Sequence, residues 1–271
     1  MSFTSVALAV SSAVPAAGDT YVPPSPNDFW HPLFGTDGAW AFTRPMLLAA
    51  IAAVLLLVWL IPATRKASAV PTKGQYFVEL FYNFVRNGIG RDMIGSKEVK
   101  PFMPLLFSLM MFILLNNLFG VIPPFQNPPT ARIGFAIALV LVVYLTYHYA
   151  GIRKHGVGGY LKAMVPGGVP AVVAPLIFLI EALSKFVIQP ATLALRLFGN
   201  MLAGHMVLVL FILGGQYLLF NGEGFLKVAG VAAYGGAIIM TIFEILIQCL
   251  QAYVFTLLSA SYIGAALAEE H

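Results

Sequence analysis

Residues 193–201 read Leu193-Ala194-Leu195-Arg196-Leu197-Phe198-Gly199-Asn200-Met201, inside an apolar stretch that runs from about Pro170 to Phe220. That stretch decides the class of fold. As continuous helix it would be about 75 Å long, far more than one perpendicular crossing of a hydrocarbon core of about 30 Å. Arg196 sits in its middle. A guanidinium cannot lose its proton in a protein. Placing one at bilayer depth costs roughly 3 kcal/mol on insertion scales and about 10 or more in simulations. A permanent charge in such a place points to a negative partner inside a membrane.

Working outward, the whole chain reads as membrane-embedded. Apolar residues make up 59% and charged residues 10% of the 271, against about 25% charged in soluble domains. The net charge of +4 is a loop-orientation signal, because no basic cluster is dense enough for nucleic acid. A single cysteine, Cys249, excludes an internal disulfide and any multi-cysteine metal site. It falls in an apolar helix and reads as packing. Residues Met1 to Ala17 lack the basic start of a signal peptide, so the N-terminus is not expected to be cleaved. Residues 1–44 are expected to form an extramembrane N-terminal arm and 45–271 a membrane domain.

The first span runs from about Pro45 to Pro62, and Arg65, Lys66 and Lys73 follow it at once. By the positive-inside rule that end is cytoplasmic and the N-terminus outside. From Gly74 to Ile94, Phe77, Leu80, Phe81, Phe84 and Val85 recur at helical spacing, interrupted by Glu79, Asn83, Arg86 and Arg91. This segment is too polar to span and reads as an amphipathic interfacial helix. The second span, about Phe102 to Val121, is broken by Pro123-Pro124 and Pro128-Pro129. The third, about Ile133 to Ala150, is followed by Arg153, Lys154, His155 and Lys162, a basic loop made flexible by Gly156, Gly158 and Gly159.

The stretch from 170 to 220 is either two spans on a very short turn or one bent, steeply tilted element. Pro190, Gly199 and Gly204 allow bends without a hydrated loop, which favours the bent element. The last apolar stretch, about 228–268, is also too long to cross at right angles and ends in Glu269-Glu270-His271. The expected fold is an all-α polytopic membrane protein. It has about five membrane-embedded helices and one interfacial helix, and the two long C-terminal helices are strongly tilted.

Those two elements carry most of the ionisable groups buried in apolar surroundings. Glu181 and Lys185 are four residues apart, share a helix face and can pair. They form either a neutralised pair near an interface, with Lys185 snorkelling, or part of a water-filled passage. Arg196 and Asn200 share a face, one turn apart. Arg196 and His205 are nine residues apart, and nine steps of about 100° put them on roughly opposite sides. Glu244, Gln248 and Gln251 form one polar stripe, which faces protein or water and not lipid. Interhelical hydrogen bonding suits the two glutamines. Glu244 asks for more: an isolated carboxylate in hydrocarbon takes up a proton, whereas beside an imidazole or a water column it exchanges one. An acid, an imidazole and a cation that never titrates suggest a proton path with a barrier in it.

The run Leu195-Arg196-Leu197-Phe198-Gly199-Asn200-Met201 with Ala203-Gly204-His205 resembles the signature of subunit a of F-type, proton-translocating ATP synthases of the bacterial type. Gln251-Ala252-Tyr253-Val254-Phe255 resembles the second, C-terminal motif of that family, and the likeness covers roughly Trp40 to His271. The resemblance implies that Arg196 matches the arginine facing a ring of c subunits, and Asn200 a polar residue of the aqueous path. His205 and Glu244 match positions where the family places a histidine and an acid, and Gln251 matches the motif glutamine near the arginine. Glu181 falls near a family acidic position with its spacing to Arg196 offset by one residue. The implied role is a stator subunit with two proton half-channels. Arg196 keeps these apart, and the subunit has no catalytic site or cofactor of its own. The c-ring, peripheral-stalk b subunits, membrane lipids and protons are the implied partners. The implied setting is a bacterial cell (inner) membrane with the C-terminus cytoplasmic.

A proton-coupled secondary transporter or ion channel would also place Arg and Glu in a membrane, but no inverted repeat is visible. An intramembrane enzyme is disfavoured by the lack of an HExxH motif or nucleophile elbow, and His148 with His155 is weak as a metal site.

Overall fold

A computed structural model describes residues 32–34, 42–65, 71–122, 128–165, 170 and 172–268. The N-terminal arm apart from 32–34 and 42–44, Lys66, the Pro123-Pro124 break and the terminal Glu269-Glu270-His271 lie outside the described residues. The chain divides into two compact units, one of Met1–Thr43 with Leu202–Ile247 and one of Arg44–Met201 with Gln248–His271.

The described residues are overwhelmingly helical. The helices are α1 (Arg44–Arg65), α2 (Lys73–Val85), α3 (Met103–Leu118), α4 (Ile133–Lys162), α5 (Ala174–Leu183), α6 (Gln189–Asn221) and α7 (Phe225–Leu267). Five stretches among them are long and apolar enough to cross a membrane: Arg44–Ala63, Lys100–Leu118, Ile133–Lys162, Ala174–Asn221 and Phe225–Leu267. The all-α polytopic reading therefore holds. It has one small addition, a short antiparallel pairing of β1 (Pro32–Phe34) with β2 (Phe42–Thr43).

In the larger unit, α1 packs on α2, on α3 and on the 3₁₀ turn Pro129–Ala131. Its core gathers Val85, Leu106, Ile113, Val143, Leu197 and Phe255. The outward faces stay apolar: Val58 of α1, Leu145 of α4 and Leu179 of α5 are all more than half exposed. A surface of that kind suits lipid and not water. The amphipathic segment forms where its periodicity predicts. Thr72 caps α2 by accepting from the Gln75 N–H at 3.4 Å, and the helix runs on through a π turn, Arg86–Gly90, to Ile94.

One boundary differs from the sequence reading. The third span does not end near Ala150. It continues as helix to Lys162, interrupted at Gly156, where φ is 73°. A side chain at that φ would be strained, so the glycine localises the reversal to one residue, and the basic segment around it stays helical. The 170–220 stretch resolves as one element. Ala174–Asn221 is a 48-residue helix with a π turn, Ser184–Ile188, joining α5 to α6. α6 runs on unbroken from Gln189 past Pro190 to Asn221, although the proline has no N–H to give to the preceding turn.

In the smaller unit, α6 and α7 form an antiparallel hairpin. His205 lies opposite Glu244, Phe211 opposite Gly236 and Leu219 opposite Gly230, so the partner number falls as the position rises.

Candidate functional site

In the larger unit, α6 is one-sided around Arg196. Leu193, Ala194 and Leu197 are buried, while Leu195, Arg196 and Asn200 are exposed. The salt bridges of the described residues do not include Arg196. Its electrostatic neighbour is Tyr262 of α7, which also lies within reach of the Thr192 hydroxyl. One turn on from Arg196, the Asn200 Nδ2 donates to Gln251 Oε1 at 2.7 Å. The bond joins two positions 51 residues apart in the sequence.

The polar ladder continues beyond Gln251. Gln248 is fully buried, and its backbone carbonyl accepts from Asn117 Nδ2 at 3.5 Å. Asn117 Oδ1 in turn accepts from the Thr130 hydroxyl at 2.9 Å. Sequence reasoning passed over Asn116, Asn117 and Thr130. The signal was present: two adjacent amides inside an apolar span are expensive unless they meet partners.

In the smaller unit, His205 Nδ1 and Glu244 Oε1 are 4.0 Å apart. Each residue is 3% exposed. Gly204 lies against the Glu244 side chain. Hydrogen bonds close at about 2.7–3.2 Å, so this separation is that of a longer ionic contact. Glu244, Gln248 and Gln251 are all buried, as the stripe predicted.

Glu181 and Lys185 do pair, Nζ to Oε2 at 3.9 Å, across the start of the π turn. Both are partly exposed. His148 is enclosed by rings instead of metal ligands. It stacks on Phe186 with centroids 4.7 Å apart, and its Nδ1 lies 2.9 Å from the Tyr160 hydroxyl. Among the described residues no group of three His, Cys, Asp or Glu side chains gathers to hold a metal.

With this geometry in view, the comparisons are decisive. Residues 46–264 match the family model described as ATP synthase A chain. The chain belongs to that family.

Several relatives cover nearly the whole chain. It is 44% identical over 267 residues to the ATP synthase subunit a of a Nocardioides species, covering 94% of this chain and 96% of the relative. It is 42% identical over 265 residues to that of Pseudarthrobacter chlorophenolicus, covering 97% and 100%. To the ATP synthase subunit a of Rhodococcus erythropolis it is 37% identical over 265 residues, covering 96% of each. As a member of the ATP synthase A chain family with five bilayer-length helices among the described residues, the chain is a multi-pass membrane protein.

Proposed function

We propose that the chain is the stator subunit of the proton-translocating membrane sector of an ATP synthase, working against a rotating ring of c subunits and assembled with the peripheral-stalk b subunits. Family membership supports its place in the membrane sector. The observation that carries the rotor-facing role is Arg196. It is a permanent cation on the exposed face of a membrane-length helix, with none of the described carboxylates bridged to it. Such a charge calls for a carboxylate from elsewhere.

Protons enter past Glu244 and His205 and load a carboxylate on a c subunit, and the neutral carboxyl then turns through lipid. At the inner half-channel it releases its proton, and Arg196 attracts the resulting carboxylate. Arg196 also keeps the two half-channels from joining. The driving term is about 2.3 kcal/mol per charge per 100 mV, which a direct leak would dissipate without torque. Asn200 and Gln251 hold the aqueous path beside the arginine, with Gln248 behind them. Glu181, paired with Lys185, lines a water-filled passage. The helices about 170–220 and 228–268 lie tilted so that they present a long surface to a curved ring. The N-terminus, on an extramembrane arm of residues 1–44, lies outside a bacterial cell membrane and the C-terminus inside. The chain carries no catalytic site or cofactor of its own.

The test is purification of the intact membrane complex with cysteines at positions 195, 199 and 200. Disulfides to a small hairpin subunit that forms a ring are the expected result. Disulfides formed only within this chain would sink the rotor-facing assignment.

A further inference from the structure

The join between α5 and α6 leaves one backbone carbonyl stranded. In a regular α-helix the Lys185 carbonyl accepts from the N–H four residues on, at Gln189. Here the Gln189 N–H donates to Ser184 instead, five residues back, in the π turn. The next amide is that of Pro190, which has no N–H to give. An unmet carbonyl inside an apolar span is costly because no water is at hand. The Tyr147 hydroxyl of α4 donates to it at 2.8 Å. Tyr147 is itself buried, packed edge-on against Tyr144 and Tyr262. Phe186, next to Lys185, stacks on His148, the residue after Tyr147.

The π turn sets the rotation of α6. Each α-helical residue turns the chain by about 100°, and a π turn absorbs one residue into a wider loop. Glu181 and Arg196 are fifteen residues apart. With one residue absorbed, the separation is about 1400°, roughly 40° short of four full turns. As unbroken α-helix it would be about 1500°, roughly 60° past four turns. Losing or shifting the π turn therefore swings Arg196 by about 100° relative to α5.

We propose that Tyr147 is a positioning residue: by capping the Lys185 carbonyl it holds the π turn, and so fixes the face on which α6 presents Arg196. The functional consequence rests on the rotor-facing reading above. Pi turns are frequent at functional sites, and this one ends eight residues before the arginine.

The test uses the whole ATP synthase in inverted membrane vesicles with Tyr147→Phe, Pro190→Ala, the double variant and, in parallel, Arg196→Ala. Tyr147→Phe removes one hydroxyl and keeps the ring. We expect the variant to lower ATP-driven proton pumping at least fivefold per assembled complex and to move the strongest c-subunit disulfide among cysteines at 195, 199 and 200. Adding Pro190→Ala restores an amide N–H within reach of the Lys185 carbonyl, so the double variant recovers at least half of normal pumping. A role in packing alone would not be rescued this way. If Tyr147→Phe prevents assembly, recovery of assembly in the double variant supports the proposal and its failure to recover overturns it. Normal pumping by Tyr147→Phe, or a double variant no better than the single one, also overturns it. An Arg196→Ala enzyme that still couples would instead overturn the functional reading.

Discussion

His205 Nδ1 and Glu244 Oε1 face each other at 4.0 Å from the two arms of a helical hairpin, each residue 3% exposed. We propose that the two act as one coupled proton-handling unit. Replacing either with alanine is expected to cut proton-driven ATP synthesis by roughly 100-fold or more, the lower end for losing a positioned proton-transfer group. Exchanging the two, with His205→Glu and Glu244→His together, should harm less than either alanine. The measurement is a double-mutant comparison of synthesis rates in vesicles, and simply additive losses would argue against a shared unit.

Arg196 calls for a different outcome, because its proposed work depends on never titrating. Arg196→Ala should abolish coupled ATP synthesis in an assembled complex while passive proton permeability persists or rises. Arg196→Lys should also fail or work poorly, since an ammonium lacks the planar fork and can give up its proton when buried. Synthesis rates and passive proton flux, measured on the same vesicles, check both halves. A lysine variant that couples normally would show that charge alone suffices.

The chemistry of the site was more legible than the shape of the elements that carry it. Arg196, His205 and Glu244 announced themselves because charge in an apolar run is costly and therefore visible. The 3.6-residue period likewise gave the stripe of Glu244, Gln248 and Gln251, and all three are buried. The π turn at Ser184–Ile188 left no such mark, because its cause is distributed: a proline after it, and a tyrosine 38 residues earlier that meets its freed carbonyl. Glycines misled in the 151–162 segment. Gly156, Gly158 and Gly159 read as a flexible loop, but Gly156 alone takes a left-handed φ and the others stay helical. The Asn117 ladder was missed because neutral amides do not register as charge, although their need for partners is similar in kind.

The Asn200–Gln251 hydrogen bond should be measurable as a coupling. Gln251 is 2% exposed and its Oε1 accepts from Asn200 at 2.7 Å, while its Nε2 has no hydrogen-bond partner among the described residues. Asn200→Ala would leave the buried amide with neither end met, at a cost of about 1–3 kcal/mol. Intramembrane hydrogen bonds average about 0.6 kcal/mol in double-mutant cycles, so the coupling between Asn200→Ala and Gln251→Ala is expected near that value. Thermal unfolding of the detergent-solubilised complex reads it. A coupling indistinguishable from zero would mean that the two amides contribute independently.

Lys154 ties together the basic end of the larger unit. Its Nζ donates to Glu98 Oε1 and to the Leu267 carbonyl, each at 2.7 Å. The two arms are not equivalent. Glu98 is 41% exposed at its side chain, so that arm is screened by solvent and salt and is worth less than about 1 kcal/mol. The Leu267 carbonyl belongs to the last turn of α7, where the orphan acceptors of a helix gather and a cation is favoured. It also lies near a tight contact, since a Cβ at Gly264 would run into the Met93 carbonyl. Lys154→Met keeps the apolar stem and removes both arms, and should cost about 2 kcal/mol. Glu98→Gln removes the ion pair alone and should cost under about 1 kcal/mol. High salt should narrow the gap between wild type and Glu98→Gln while leaving most of the Lys154→Met deficit in place. Proteolysis at the C-terminus checks the assignment, because fraying of α7 should rise in Lys154→Met and not in Glu98→Gln. Equal fraying in the two would place the stabilisation in the ion pair instead of the cap.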